Sequence, residues 1–125
     1  MDSKTYIENV LRTKSSHFNP ENISVDLVHA TLGLVTEAGE LADVVKRAYF
    51  YGKGPESVDK NHIIEEAGDL FWYLGLLCSS CDISFEEVWA KNIAKLKARY
   101  PNKFNTQDAY NRDTKKEMEA LKGTK

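Results

Sequence analysis

The stretch VTEAGELAD, from Val35 to Asp43, appears again in altered form as IEEAGDLFW, from Ile64 to Trp72. Each copy places a glutamate, an Ala-Gly pair and a second carboxylate next to apolar residues. Glycine inside a helix costs about 1 kcal/mol relative to alanine, and a buried carboxylate costs more unless it is paired or coordinated. Because the chain accepts both costs twice, the two copies are expected to share a purpose.

The composition is that of one globular domain. The 125 residues are 42% apolar and 29% charged, and the formal net charge is −2. With so small a charge, no general attraction to nucleic acid or to an anionic membrane is expected. No apolar run approaches the about 18 residues of a membrane span, and the first ten residues lack the layout of a signal peptide. We therefore expect a cytoplasmic protein.

The two cysteines, Cys78 and Cys81, form a single C-x-x-C. A structural zinc site needs four ligands, and no second Cys or His pair of suitable spacing completes one. The pair also comes late in an apolar segment, whereas thiolates are activated at helix N-termini. We interpret these residues as reduced, buried or half-buried thiols.

The apolar residues recur with the 3.6-residue period of helices and there are few helix breakers, so the sequence predicts an all-α protein. The Gly52–Pro55 stretch is expected to break the chain between the second and third helices. Ser84 followed by Glu87 is a capping box that starts the fourth helix. The five expected helices are about 3–15, 20 or 21 to 51, 59–80, 84 to just before Pro101, and 106–122.

The four longer helices predict an antiparallel four-helix bundle within a single domain, 1–125. Residues 21–101 would form its core, and residues 102–125 an additional, peripheral C-terminal helix. Each long helix carries a broader apolar stripe than one small chain can cover. We therefore expect a homodimer or a homotetramer built as a dimer of dimers.

Two carboxylate pairs flank the apolar stripes of consecutive helices. Glu37 and Glu40 lie three residues apart, as do Glu66 and Asp69, so each pair shares one helix face. A single such pair is most often solvated, but antiparallel packing would bring all four together, helped by the small Ala-Gly residues. Their mutual repulsion would favour a hard divalent cation, Mg²⁺ or Mn²⁺.

A line of polar residues runs along the fourth helix, and it consists of Asn92, Lys95 and Arg99. A basic line alone usually faces solvent. Next to an acidic metal site, it is better interpreted as a clamp for phosphates.

These motifs resemble those of the MazG-like, all-α nucleotide pyrophosphohydrolases, whose pattern is E-E-x-x-E followed by E-x-x-D. The resemblance covers about residues 25–101. Three segments carry it: GLVTEAGELAD (33–43), EEAGDLFWYL (65–74) and NIAKLKARYP (92–101).

The resemblance implies a MazG-like bundle that hydrolyses a nucleoside triphosphate between its α- and β-phosphates, giving the monophosphate and pyrophosphate. It also implies assembly as dimers or dimers of dimers. The implied Mg²⁺ ligands and catalytic residues are Glu37, Glu40, Glu66 and Asp69. The implied triphosphate contacts are Lys95 and Arg99, with Asn92 nearby.

Thr36 departs from the family pattern, because it stands where the first glutamate of E-E-x-x-E is expected. Three explanations stay open: water activated by the metal needs no separate base, Glu37 acts as both ligand and base, or activity is weak. His62 occupies a place where some relatives carry lysine, and Tyr73 continues the Glu66 line. Both are candidate substrate contacts, although either could be structural.

We therefore expect a Mg²⁺-dependent (d)NTP pyrophosphohydrolase that adjusts or cleans the nucleotide pool, with no nucleic acid polymer and no membrane as partner. A di-iron carboxylate bundle is disfavoured because it needs Glu-x-x-His on two helices, and none of the three histidines follows a glutamate by three. A non-catalytic helical oligomer or regulatory binding module with the same fold is the alternative that Thr36 leaves open.

Overall fold

The computed structural model describes residues 1–52 and 58–123, which form helices and no strand. The predicted all-α class is confirmed. A 3₁₀ turn, Pro20–Asn22, precedes the second helix. The six α-helices are α1 (Ser3–Thr13), α2 (Val25–Phe50), α3 (Lys60–Ser80), α4 (Phe85–Arg99), α5 (Thr106–Tyr110) and α6 (Thr114–Lys122).

Side-chain caps fix the starts of the long helices. The Ser84 hydroxyl accepts from the Glu87 amide at 3.1 Å, which confirms the predicted start of α4. Ser24 accepts from the Leu27 amide at 3.1 Å, so α2 begins later than predicted, after the separate 3₁₀ turn. The predicted break at 52–55 agrees with the end of α2 at Phe50, but positions 53–55 lie outside the described residues.

Helices α2 and α3 pack against each other and run antiparallel, since Gly33 meets Tyr73 while Glu40 lies near Glu66. The Tyr73 ring lies so close to α2 that a Cβ at Gly33 would overlap it. Gly33 is therefore the glycine that allows the close approach.

The glycines of the repeated motif do not have the role expected of them. A Cβ placed at Gly39 or Gly68 would meet no atom within 4 Å, so neither glycine lies in the α2–α3 contact. The reason is angular: each glycine is about 160° around its helix from Glu37 or Glu66, at about 100° per residue.

The C-terminal region forms two helices instead of the single helix predicted over 106–122. Asn105 caps α5 by accepting from the Asp108 amide at 2.8 Å. Asp113 caps α6 by accepting from the Lys116 amide at 3.0 Å, which starts a new helix within the predicted one. Helix α6 packs along α4.

The cysteines lie where the sequence predicted, at the C-terminal end of α3. Cys78 is buried as predicted, whereas Cys81 is exposed, so the prediction of a buried or half-buried thiol is wrong for Cys81, which follows the last residue of α3; neither cysteine forms a disulfide.

The chain alone has a small apolar core, in which Ala30, Ala48 and Cys78 are the buried members among the described residues. Its accessible surface is 10702 Å², whereas a folded monomer of this mass is expected to expose about 6,800 Å². Large apolar side chains remain exposed on α1 to α4. No helix in the described ranges is long and apolar enough to cross a membrane.

Candidate metal and substrate site

Three of the predicted metal ligands come together between α2 and α3. One carboxylate oxygen from each of Glu37, Glu40 and Glu66 lies within 4.8 Å of the other two. Glu37 and Glu66 are half-buried and Glu40 is exposed. Three convergent carboxylate oxygens are the kind of donor set that a hard divalent cation prefers.

The electrostatics of this acidic group also fit a cation. Partial burial raises the pKa of the Glu66 carboxyl, and the charges of Glu40, Glu65, Glu37 and Asp69 raise it further. The ionised group therefore carries an unfavourable energy that bound positive charge would relieve. This fit supports the donor set without identifying the metal.

Asp69, the fourth predicted ligand, is exposed one turn along α3 from Glu66. It is not a member of the close group of three, although its charge acts on Glu66. Its role as a ligand stays a prediction.

Thr36 contacts the acidic group through its hydroxyl. The hydroxyl oxygen is 2.9 Å from the Gly33 carbonyl and 3.3 Å from Glu37 Oε1, so its proton is directed at these two acceptors. At this position the chain has a donor to Glu37 in place of the carboxylate that the family pattern predicts.

A cavity of about 690 Å³ opens beside the acidic group, toward the C-terminal end of α2. Glu40 and Glu66 belong to both, so the cavity and the acidic group are continuous. The structure places the predicted substrate residue His62 on the cavity wall, with Nδ1 3.8 Å from Asp59 Oδ2. The other lining residues are Asp43, Val44, Lys46, Arg47, Ala48, Tyr51, Gly52 and Asp59.

An aromatic group lies on the other side of the acidic group. Tyr73 meets His29 edge-on at 5.5 Å between ring centroids, and Trp72 lies 6.2 Å from His29 and 5.0 Å from Tyr73. Tyr73 thus has a structural role against α2 and also contacts the His29 ring.

The basic line of α4 is not part of the cavity. Asn92 is exposed and Lys95 half-buried, and neither they nor Arg99 are among the described residues that line it. Arg99 instead donates to both carboxylate oxygens of Glu117 on α6, at 2.9 and 2.6 Å.

Glu117 is the buried charged residue of the described chain, and only 4% of its surface is exposed. Arg112 also donates to it, at 3.2 and 2.8 Å. Arg99 first, and Arg112 second, hold the pKa of the Glu117 carboxyl well below its usual range. The Glu117 carboxylate raises the pKa of Arg99 in return.

Sequence reasoning missed two of these features. Lys46 and Arg47 follow Asp43 by three and four residues and both pair with it, a spacing that could have been recognised on a helix. Nothing in the sequence marks the pairing of Arg99 with Glu117, because the partners are 18 residues apart and meet only when α6 packs on α4.

Comparison with known proteins identifies the family of the chain. Residues 28–104 match the sequence model of the MazG nucleotide pyrophosphohydrolase domain, which is more than half of the chain. The chain belongs to the MazG family. The resemblance that the motifs carried is thereby confirmed.

Among curated proteins, the MazG chain is similar to the Gene 37 protein of Mycobacterium phage L5, with 34% identity over 74 residues. The aligned region is 58% of this chain and 65% of the phage protein, so it spans less than two thirds of that relative. No solved structure is significantly similar.

The MazG match contains the whole acidic group, the basic side chains Lys46 and Arg47 of the cavity wall, and the basic line of α4. Helices α1, α5 and α6 lie outside it. Arg112 and Glu117 therefore lie beyond the matched region.

Proposed function

We propose that this protein is a Mg²⁺-dependent nucleoside triphosphate pyrophosphohydrolase that converts a (d)NTP to the monophosphate and pyrophosphate. The observation that carries the proposal is the convergence of Glu37, Glu40 and Glu66 beside a cavity of about 690 Å³. Pockets for small molecules and cofactors commonly enclose about 300–1,000 Å³. Membership in the MazG family supports the reaction class.

In this proposal Glu37, Glu40 and Glu66 hold the divalent cation, and Asp69 completes the set from the next turn of α3. When bound, the cation supplies charge neutralisation for the triphosphate and makes water more acidic; Mn²⁺ can substitute for Mg²⁺. The carboxylates also orient the attacking water and accept its proton. Glu37, which directly follows Thr36, is the candidate proton acceptor in addition to being a ligand.

The substrate contacts proposed here come from three helices. His62 reaches phosphate from the cavity wall, and Tyr73 contacts the nucleoside from the aromatic group. From α4 we propose Asn92, Lys95 and Arg99. Arg99 already pairs with Glu117, so a phosphate would have to share this guanidinium or replace Glu117 on it.

We also propose that the active assembly is a homodimer or a homotetramer. A second apolar face of α2 is exposed at i, i+4, i+7 and i+11, and it is formed by Val28, Leu32, Val35 and Gly39. On α3 the exposed residues Ile64, Gly68 and Phe71 follow the same spacing. A second copy covering both faces would form a bundle from two α2–α3 hairpins, and it would remove much of the excess accessible surface.

A substrate panel tests the proposal. Wild-type protein is incubated with each common dNTP and NTP, with and without Mg²⁺, and released pyrophosphate is measured. Glu66→Gln should lower turnover at least about a hundredfold, because even residues that only orient metal ligands are worth 10–100-fold. Glu8→Gln, an exposed substitution on α1, is the matched control and should turn over as the wild type does.

Full Mg²⁺-dependent turnover in Glu66→Gln would contradict the site assignment. Absence of pyrophosphate release from every triphosphate would favour the second candidate, a non-catalytic helical oligomer or regulatory module. The observation that supports this alternative is Thr36, a hydroxyl where the family pattern has a carboxylate. The preference for deoxynucleotides, the role in the nucleotide pool and the cytoplasmic location stay predictions.

A further inference from the structure

Two basic side chains, Lys46 and Arg47, line the cavity beyond the acidic group, and neither has a role in the mechanism proposed above. Arg47 follows Glu40 by seven residues, two turns along the same face of α2, which is about 10 Å of axial rise. Lys46 lines the same cavity. Both reach Asp43, which lies between the cations and the acidic group along the helix.

The acidic group separates these cations from the aromatic group. Tyr73 meets the N-terminal half of α2 at Gly33, whereas Arg47 is near the C-terminal end of that helix. Along the antiparallel hairpin the order is therefore aromatic rings, carboxylates, cations. A nucleoside triphosphate has the same polarity: an aromatic base at one end, the scissile link in the middle and the most negative charge at the other end.

The basic side chains at this end of the cavity are suited to a phosphate that binds together with a divalent cation. Lys46 and Arg47 both pair with Asp43, and Asp59, Glu40 and Glu66 also line the cavity, so its lining has more acidic than basic side chains. The positive charge of a bound divalent cation would offset this excess. On α4, by contrast, Arg99 is held by Glu117. Arginine and lysine donate strong charge-assisted hydrogen bonds to phosphate oxygens.

We propose that Arg47 and Lys46 bind the β- and γ-phosphates, which leave as pyrophosphate, so that the substrate lies along the α2–α3 hairpin with its base toward Tyr73. This inference rests on the proposed function. Water forms the new P–O bond, the bridging α–β P–O bond breaks, and pyrophosphate takes the electron pair while one water proton passes to a carboxylate. Arg47 and Lys46 stabilise the negative charge that the departing pyrophosphate gains.

Asp43 is the internal competitor for this subsite. Before substrate binds, it holds both cations in the cavity, and phosphate oxygens then take over its hydrogen bonds. Removal of the Asp43 charge should therefore strengthen the binding of pyrophosphate, while removal of the cations should weaken it.

Calorimetric titration with Mg²⁺ and inorganic pyrophosphate tests the subsite without requiring turnover. The double variant Lys46→Gln/Arg47→Gln should bind pyrophosphate at least about tenfold more weakly, as expected for the loss of hydrogen bonds to charged groups. Asp43→Asn should bind it more tightly. Lys91→Gln is the matched control, because Lys91 is also an exposed lysine paired with an acid in the preceding turn, Glu87 at 2.7 Å.

Titration with Mn²⁺ alone separates a local effect from a damaged fold. In the double variant the acidic group is intact, so its Mn²⁺ affinity should not fall. Three results would overturn the proposal. Pyrophosphate binding is unchanged in the double variant, or it falls together with Mn²⁺ binding, or the wild type does not bind pyrophosphate.

Failure of the subsite and failure of the proposed function give different results. If the wild type hydrolyses triphosphates but the double variant binds pyrophosphate as the wild type does, the proposed function holds and the proposed subsite is wrong. If the wild type releases no pyrophosphate from any triphosphate but binds added pyrophosphate through Lys46 and Arg47, the proposed subsite holds and the proposed function is wrong.

Discussion

Glu66 belongs to the acidic group proposed to bind the metal, and its ionised form is destabilised by burial and by the neighbouring carboxylates. Half-buried and surrounded by four other carboxylates, it is more easily protonated than an ordinary glutamate. Above its raised pKa the ionised side chain destabilises the folded state, because folding has made that ionisation harder. A divalent cation would turn the same repulsion into attraction.

The substitution Glu66→Gln should therefore act in opposite directions with and without metal. In metal-free buffer at neutral pH it removes a repelling charge, so Tm should rise. On addition of Mg²⁺ the wild type should gain several degrees in Tm, and the variant should gain much less. Differential scanning fluorimetry with a Mg²⁺ series measures both effects, and an equal Mg²⁺-dependent gain in the two proteins would contradict the assignment of Glu66 as a ligand.

The sequence predicted Glu37, Glu40 and Glu66 because their spacing places them on one side of each helix, and helix geometry carries that information locally. The meeting of the two helices was expected from their order along the chain. What could not be predicted was the orientation of individual side chains, such as the Thr36 hydroxyl toward Glu37. The ion pair between Arg99 and Glu117 could not be predicted either, because it depends on the packing of α6 on α4.

At the scale of helices, Gly33 decides how closely α2 and α3 approach. The Tyr73 ring occupies the space that a side chain at position 33 would need. The repeated motif drew attention to Gly39 and Gly68, yet the glycine that matters to this contact is six residues earlier than Gly39. Periodicity predicted which helices pair, but not which glycine lies at their contact.

Gly33→Ala should lower the free energy of unfolding by about 1–3 kcal/mol, as forced overpacking usually does. Gly75→Ala is the matched control, because a Cβ there would meet only the Phe85 ring, at an ordinary 4.0 Å. Chemical denaturation with both variants measures the difference. A Gly33→Ala protein as stable as Gly75→Ala would show that Tyr73 does not pack on α2 as described.

The attachment of α6 to α4 depends on a buried ion pair and should be sensitive to acid. Because the folded-state pKa of Glu117 is lowered, its contribution to stability is present above the ordinary glutamate range and is lost as pH falls through and below it. Glu117→Gln should lower Tm at neutral pH and flatten the fall of Tm on acidification. Melting curves between neutral and acidic pH test this, with the exposed Glu119→Gln as control.

Equal acid sensitivity in Glu117→Gln and the wild type would contradict this account of the α4–α6 contact. The sequence did predict a helical C-terminal region, but it placed one helix where the structure has two. The cap at Asp113 had the residue type expected of a helix start, and the charged, apolar-poor sequence around it obscured the signal.

At the scale of the whole molecule, the exposed apolar area is the largest departure from an ordinary monomer. The accessible surface of 10702 Å² exceeds the expectation for a folded chain of this mass by about 3,900 Å². Obligate homodimers commonly bury about 2,000–5,000 Å² in total, which is about 1,000–2,500 Å² from each partner, so one such interface would cover only part of this excess. The all-α class was predictable from periodicity, whereas the partner surface could be inferred only from the breadth of the stripes.

The protein should therefore sediment with two or four times the chain mass of 14.2 kDa. Leu32→Glu places a charge in the exposed apolar face of α2, where the side chain is 64% exposed in the single chain, and should shift the population toward monomer. Tyr110→Glu on α5 is the control: it also places a charge at a large exposed side chain, here 83% exposed, but outside the α2–α3 hairpin, and it should not shift the population. A wild type that is monomeric at micromolar concentration would contradict the oligomer proposal.

The identity of the two products tests the central claim most directly. The substrate is a deoxynucleoside triphosphate that the panel shows to be consumed, and ³¹P NMR follows its conversion in Mg²⁺ by wild type and by Glu66→Gln. The account predicts equal molar amounts of monophosphate and pyrophosphate, so that the pyrophosphate resonance has twice the intensity, formed by the wild type and nearly absent with the variant. Formation of the diphosphate and inorganic phosphate, or equal conversion by both proteins, would contradict it.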